Sequence, residues 1–107
     1  KGKVVNLNYN QKKKILTPNI GWLKNNNIIE NRINFDKFSD LSSDKYFYFV
    51  HSFHCLVEDK EAKTIKTKYD NLEFTSIVFK ENLTGFQFHP ENSGEEGLQI
   101  LKNWIDY

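Results

Sequence analysis

Short segments in which Val, Leu or aromatic residues stand among polar ones indicate β-strands along the chain. Lys3 to Leu7 is one such segment, with Val and Leu around polar residues, and Lys66 to Tyr69 is predicted to be another. Residues 46–53 differ, because they form a continuous apolar and aromatic run, typical of a strand buried on both faces. The pattern therefore predicts three strands in these stretches.

The clearest strand pair covers residues 74–79 and 85–89, which a polar turn separates. Beyond it the period becomes helical, and Ser93 and Glu96 have the spacing of a capping box. Four large apolar residues then fall on one helical face: Leu98, Leu101, Trp104 and Ile105. The sequence thus predicts a C-terminal amphipathic helix that packs on a neighbouring surface.

Two segments show no clear periodicity of hydrophobic residues. Pro18 and Gly21 lie close together and predict a defined turn with Trp22 at its exit. Residues 24–45 are mostly polar and predict a short helix or an irregular segment. Since no repeat or linker divides residues 1–107, we expect one α/β unit with mostly strands in a mixed sheet and one C-terminal helix.

Composition narrows the possible classes of function. Of 107 residues, 38% are hydrophobic and 15% aromatic, which is enough for a packed core. A net charge of +1, with Lys12 to Lys14 as the one dense basic run, argues against a nucleic-acid partner. The single cysteine, the lack of an apolar stretch of about 18 residues and the lack of a signal-peptide pattern predict a cytoplasmic protein without a membrane partner. The sequence has no Met and begins with Lys1, so we expect an N-terminal portion to have been lost.

His89 is the strongest candidate for a reacting side chain. It ends a predicted strand, Pro90 restricts the direction in which the chain leaves, and Glu91 follows two residues later. A carboxylate at that position can orient an imidazole and stabilise its protonated form. Strand ends that precede a helix are also where open α/β sheets place their sites. The pattern indicates an acid–base pair that still lacks a nucleophile.

Cys55 does not complete this pair. Its neighbour His54 should point to the opposite face of a strand, and a lone cysteine often packs as a small buried residue, so we expect a structural role. A zinc site built from His51, His54, Cys55 and His89 would lack paired ligands at short spacing, so no metal is predicted. The sequence contains no glycine-rich phosphate loop and no G-x-S-x-G elbow, and we expect no cofactor.

The segment from Gly85 to Ser93, G-F-Q-F-H-P-E-N-S, resembles the catalytic His/Glu motif of the class I glutamine amidotransferases. It is most similar to the glutaminase subunits of imidazole glycerol phosphate synthase. Four more segments resemble that group in the same order: residues 18–22 its P-H-I-G-W segment, 48–53 its Y-F-V-H-S-Y strand, 69–76 its Y-G-x-x-F-x-S stretch and 97–104 its closing helix. The resemblance covers nearly the whole chain.

The resemblance implies a role for each matching residue. His89 would be the general base and acid, and Glu91 would orient it. Ser52 and Phe53 would hold the α-carboxylate of glutamine through their backbone. Three positions would face a synthase partner near the exit route of ammonia: Gly21, Trp22 and Tyr48. In the family the cysteine nucleophile lies on a G-x-C-x-G elbow in the first half of the domain, which residues 1–107 do not contain.

The chain is therefore predicted to be the C-terminal half of a glutamine amidotransferase domain. The complete domain would hydrolyse glutamine to glutamate and pass ammonia to a synthase or cyclase subunit in a heterodimer, as in histidine biosynthesis. Asn19, Asp70 and Asn92 stand where the family pattern has His, Gly and Lys. Two alternatives stay open: an ammonia donor for a surface-sugar amidotransferase, and an inactive binding module. By itself the chain is expected to be inactive and to self-associate through exposed strand edges.

Overall fold

The computed structural model describes residues 1–26 and 45–106 of the chain. The strands are β1 (Gly2–Asn6), β2 (Asn19–Asn26), β3 (Tyr46–His51), β4 (Phe53–Val57), β5 (Lys63–Tyr69), β6 (Leu72–Lys80) and β7 (Leu83–Phe86). A short 3-10 turn (Pro90–Asn92) and one helix, α1 (Gly94–Asp106), follow. The prediction of mostly strands with a C-terminal helix is confirmed.

The strand positions follow the sequence pattern in most of this region. The segment predicted at residues 3–7 corresponds to β1, and the segments 66–69 and 74–79 lie within β5 and β6. The strand predicted at 85–89 is shorter than expected, because β7 ends at Phe86 and the chain then bends.

The apolar run at residues 46–53 forms two strands and not one. The chain bends at Ser52, and β3 and β4 on either side of it belong to different sheets. The expected burial on both faces is also wrong, because Phe47 and Phe49 of β3 are buried whereas Tyr46 and Val50 are exposed. Hydrophobic period alone cannot locate such a bend.

The segment that precedes this run also differs from the prediction. Strand β2 already begins at Asn19, so Trp22 lies inside a strand and not at the exit of a turn. The strand ends at Asn26. The rest of the predicted helical or irregular segment, residues 27–44, lies outside the described residues.

The strands form a five-stranded sheet in the order β3-β2-β5-β6-β7 and a two-stranded sheet of β1 and β4. All pairings among the described strands are antiparallel, so the predicted mixed sheet is not found in this part of the chain. Strands β5, β6 and β7 follow one another through short turns, and such turns permit only antiparallel pairing.

Asp70 stands at a left-handed position in the turn between β5 and β6, with φ of 54°. Glycine adopts this conformation without a steric penalty, and Asp and Asn tolerate it better than other residues. This explains why a position that is Gly in the family pattern can be Asp here without a change of turn.

An aromatic cluster fills the space between the five-stranded sheet and α1. Its buried members are Phe47, Phe49, Ile65, Phe74, Ile77, Phe88 and Ile100. Phe88 stacks on Phe47 with the ring centroids 4.4 Å apart and meets Phe49 edge-on at 5.6 Å. Because Phe88 directly precedes His89, this packing anchors the chain just before the predicted acid–base pair.

Helix α1 does not bury the face that the sequence pattern predicts. Its buried residues are Gly97 and Ile100, whereas Leu98, Trp104 and Ile105 are exposed. A Cβ built on Gly97 would overlap the carbonyl oxygen of Pro90, so the missing side chain is what allows the helix to approach the 3-10 turn this closely. Counting large apolar residues misses a contact made by a glycine.

Candidate active site

His89 and Glu91 form a hydrogen-bonded pair beside the aromatic cluster. Nδ1 of His89 lies 2.8 Å from Oε1 of Glu91, and the two side chains are 43% and 57% exposed. An ionised carboxylate only accepts hydrogen bonds, so Nδ1 carries the proton in this contact. In the neutral imidazole the lone pair of Nε2 is then available to take a proton from a thiol or a water molecule.

Glu91 is held in its charged form by two hydrogen bonds. Its own backbone N–H and the imidazole of His89 donate to the carboxylate, and both contacts lower the pKa of Glu91 against an opposing effect of desolvation. The carboxylate can therefore stabilise the imidazolium that forms when His89 accepts a proton. The predicted pair is brought together as the resemblance implies; its catalytic role stays a prediction.

The backbone of His89 is fixed on both sides by the edge of the sheet and by the 3-10 turn. Its N–H donates to the carbonyl of Tyr48 at 3.0 Å. Its carbonyl accepts from the N–H of Asn92 at 3.0 Å and from the hydroxyl of Ser93 at 2.6 Å. The imidazole is thus carried by a residue whose backbone N–H and carbonyl are both hydrogen-bonded.

Ser93 connects this turn to strand β3. Its hydroxyl donates to the carbonyl of His89 and accepts from the backbone N–H of Tyr48 at 2.9 Å, and its side chain is fully buried. The capping-box prediction is therefore wrong about the partner of Ser93, because the hydroxyl accepts from the N–H of Tyr48 on the edge strand β3. No local pattern indicates this contact, since the two residues are far apart in the chain.

Replacement of Ser93 by alanine is expected to destabilise the fold by about 1–3 kcal/mol, because the N–H of Tyr48 would lose its partner in a buried place. The same change removes a hydrogen bond to the carbonyl of His89, so the turn that carries the imidazole should be held less firmly. Urea unfolding measures the loss of stability.

Thr75→Ala serves as the control for this experiment, because Thr75 is half-buried on β6 and removing its hydroxyl breaks none of the contacts around His89. Equal stability of the Ser93→Ala and Thr75→Ala proteins would show that the bridge from Ser93 to Tyr48 contributes nothing to stability.

The predicted partner-facing residues do not all share one face. Trp22 and Tyr48 lie opposite each other on β2 and β3, with ring centroids 5.8 Å apart, and Trp22 is 51% exposed. Gly21 pairs with the buried Phe49 and therefore lies on the alternate side of the strand. Its φ of 143° is a backbone conformation that other residues rarely adopt, which accounts for the glycine. The contact of this surface with a partner stays a prediction.

The predicted substrate-binding residues, Ser52 and Phe53, lie where the chain passes from β3 to β4. The carbonyl of Ser52 accepts from the N–H of Leu7 at 2.9 Å. The carbonyl of Phe53 accepts from Nδ1 of His51 at 2.8 Å, and the Phe53 ring is exposed. Their role towards glutamine stays a prediction, and His51 is a contact that the sequence analysis did not assign to the site.

Cys55 is exposed, so the expectation of a buried packing residue is wrong. Strand alternation turns His54 inward, where it is 3% exposed, and leaves Cys55 outward, as the opposite-face prediction requires. The clefts that Cys55 lines contain residues of β4, β6 and β7 but neither His89 nor Glu91. Cys55 is therefore not placed as the nucleophile of the acid–base pair.

Within residues 1–26 and 45–106, no group of three or more His, Cys, Asp or Glu side chains could hold a metal ion. The helix in this region is too short and too polar to cross a membrane.

Residues 4–106 match the sequence family described as Glutamine amidotransferase class-I. The chain belongs to the class I glutamine amidotransferase family. The resemblance seen in the His/Glu motif is thereby confirmed.

The chain is similar to proteins named imidazole glycerol phosphate synthase subunit HisH. It is 42% identical over 104 residues to the one from Pyrococcus furiosus, which covers 97% of this chain and 49% of that protein. It is 39% identical over 112 residues to the one from Sulfurimonas denitrificans, covering 100% and 49%, and 36% identical over 105 residues to the one from Pelagibacter ubique, covering 98% and 48%. The chain thus spans about half the length of the curated relatives it matches.

Proposed function

We propose that this chain supplies the acid–base half of a glutamine-hydrolysing domain, with residues 1–107 as the C-terminal half of that domain. The observation that carries the proposal is the pair of His89 and Glu91, in which Nδ1 is bound to a carboxylate and Nε2 is available for proton transfer. Family membership and the match to about half of each relative support it.

In the proposed reaction, a cysteine thiol from a part of the domain outside these residues gives its proton to Nε2 of His89. The thiolate attacks the carboxamide carbon of glutamine, the C–N bond breaks, and His89 returns the proton to the leaving nitrogen as ammonia departs. A water molecule then gives a proton to His89 and attacks the thioester, which releases glutamate and restores the thiol.

The substrate in this proposal is oriented by the bend between β3 and β4. Ser52 and Phe53 hold the α-carboxylate of glutamine through their backbone, as the resemblance implies. Tyr48 connects this bend to the base, since it lies on the same strand and its carbonyl accepts from the N–H of His89. Without the cysteine, residues 1–107 bind and orient but do not hydrolyse.

Ammonia is proposed to pass to a synthase or cyclase subunit in a heterodimer, as in histidine biosynthesis. The relatives named above are subunits of imidazole glycerol phosphate synthase, which supports this assignment. The exposed ring of Trp22 and the half-buried ring of Tyr48 beside it offer an aromatic docking surface, and aromatic residues are enriched at interfaces. The unpaired thiol of Cys55 fits the reducing cytoplasm.

The test is ammonia release from glutamine by the complete native protein, with and without the cyclase subunit from the same source. Hydrolysis that rises when the cyclase is added is the expected result. Hydrolysis without any response to the cyclase would favour a surface-sugar amidotransferase as the acceptor. No hydrolysis in either case would contradict the enzyme proposal and favour a binding module.

The chain offers a matched pair of variants for the docking surface. Trp22→Ser should reduce the response to the cyclase subunit, whereas Trp104→Ser, which changes a ring of similar exposure on α1, should leave the response unchanged. An equal response of both variants would place the partner elsewhere on the molecule.

A further inference from the structure

The imidazole of His51 links three parts of the chain at the point where it leaves β3. Nδ1 of His51 lies 2.8 Å from the carbonyl oxygen of Phe53, two residues further on. Nε2 lies 3.0 Å from the side-chain nitrogen of Asn19, which is directly opposite His51 in the register of β2 and β3. The ring thus holds the bend at Ser52 against the neighbouring strand.

The two contacts fix the protonation of the ring. A carbonyl oxygen only accepts, so Nδ1 carries a proton and donates to Phe53. Nε2 of the neutral ring then has the lone pair that the amide N–H of Asn19 requires. Asn19 is 1% exposed, and an amide buried to this degree is stabilised by having such a partner. Both nitrogens of the neutral imidazole are therefore matched to their neighbours.

The surroundings of His51 favour this neutral form. Burial lowers the pKa of His51, the hydrogen bond to Phe53 acts in the opposite direction, and the nearby charge of His89 lowers it further. Among the described residues, His54 is a second titratable neighbour, and its pKa is lowered by burial and by His51. The other ring contacts of His51 in this part of the chain are with Phe49 and Phe74, which carry no charge.

The contact from His51 fixes one of the two peptide groups at the bend. Two internal donors engage successive carbonyls: the N–H of Leu7 bonds to Ser52, and Nδ1 of His51 bonds to Phe53. Because a trans peptide is planar, the Leu7 contact also sets the direction of the Phe53 N–H, and the His51 contact sets that of the His54 N–H. Carbonyl oxygens would repel a carboxylate, so a site for one requires them to be held by other donors.

We propose that His51 is a positioning residue for glutamine, which acts by holding the Phe53 carbonyl, and with it the bend at Ser52 and Phe53, in the orientation that receives the α-carboxylate. The inference rests on the proposed glutaminase function, since it assigns a role within that reaction. His51 does not touch the reacting carboxamide in this account. It acts on the affinity for glutamine through the Phe53 carbonyl.

Three substitutions at His51 separate its two contacts. In His51→Asn the amide nitrogen replaces Nδ1 and keeps a donor for Phe53. In His51→Gln the amide replaces Nε2 and keeps a partner for Asn19 but not for Phe53. His51→Leu removes both contacts. We expect KM for glutamine in the complete protein to rise about tenfold in the Gln and Leu variants, the size expected for one lost hydrogen bond, and to rise less in the Asn variant.

Whether the substitutions change KM or kcat decides the role of His51. A KM for glutamine that is clearly higher in the Gln variant than in the Asn variant supports positioning through Phe53. A fall in kcat at unchanged KM, or an equal rise in KM for the Asn and Gln variants, would overturn it. The comparison of the Asn and Gln variants does not depend on the Leu variant folding.

Nitrogen-15 NMR of the imidazoles in the complete protein tests the contact independently of glutaminase activity. His51 should show the neutral tautomer with the proton on Nδ1, and His51→Asn should abolish that signal while leaving the His54 signal in place. The other tautomer would overturn the positioning role directly. The Nδ1–H tautomer in a complete protein that does not hydrolyse glutamine would overturn the proposed function, and the role of His51 with it.

Discussion

Replacing His89 by alanine in the complete protein is expected to lower the rate of glutamine hydrolysis by about 10²- to 10⁴-fold, the range in which a general acid–base residue contributes. His89 is the imidazole whose Nδ1 is bound to the carboxylate of Glu91 while Nε2 stays available. Truncation removes the proton acceptor for the thiol and the proton donor for ammonia together. Both halves of the reaction should therefore slow.

The stability of the fold should change little in this variant. The His89 side chain is 43% exposed, and the hydrogen bonds that fix this turn use its backbone N–H and carbonyl, which alanine retains. Ammonia release and urea unfolding should thus respond very differently. Activity within tenfold of the wild-type protein would exclude His89 as the base.

Glu91→Gln is the companion variant, because it keeps the size of the side chain and an oxygen that can accept from Nδ1. It lacks the negative charge that stabilises the imidazolium. We expect a smaller loss than for His89→Ala, and no further loss when the two substitutions are combined, since both act on one proton transfer. Losses that multiply in the double variant would contradict the assignment of Glu91 to His89.

Gly97→Ala is expected to destabilise the fold by about 1–3 kcal/mol or more, the range for overpacking a well-filled contact. The new Cβ would overlap the carbonyl oxygen of Pro90 and lie 2.8 Å from Cβ of Ser93. Backbone atoms of the 3-10 turn cannot move aside as a flexible side chain could. Helix α1 must therefore shift away from the turn that carries His89.

This expectation runs against local propensity, because alanine is favoured over glycine by about 1 kcal/mol inside a helix. A loss of stability can then come only from the contact with the turn. Lys102→Ala, on the exposed side of α1, is the control and should stay within about 0.5 kcal/mol of wild type in urea unfolding. A Gly97→Ala protein as stable as wild type would mean that the helix lies further from Pro90.

Much of the strand arrangement could be predicted from the sequence, because alternation and apolar runs follow directly from burial on one or both faces. The bend at Ser52 could not, since it lies inside an apolar run and depends on which sheet each half of the run joins. The prediction of which face of α1 is buried was wrong for a related reason. Gly97 has no side chain to enter a hydrophobic pattern, yet it makes the closest approach of the helix.

The candidate site likewise contains contacts that could be predicted from the sequence and contacts that could not. His89 and Glu91 are two positions apart in sequence, so their pairing could be predicted from local geometry and from the family resemblance. The bridge from Ser93 to the N–H of Tyr48 and the contact from His51 to Asn19 join residues that are distant in the chain. Contacts of this kind depend on strand register and on main-chain groups, and neither can be read from the types of the residues involved.

His89 and Glu91 are separated only by Pro90, and this short spacing affects how the pair forms during folding. Closing so short a loop requires little loss of chain entropy, so the base and the group that orients it come together almost as soon as the turn forms. A reactive centre whose members come from distant segments must wait for the whole domain. Here the orientation of the imidazole by Glu91 is a local property of one turn, whereas in the proposed function the thiol must come from another part of the domain.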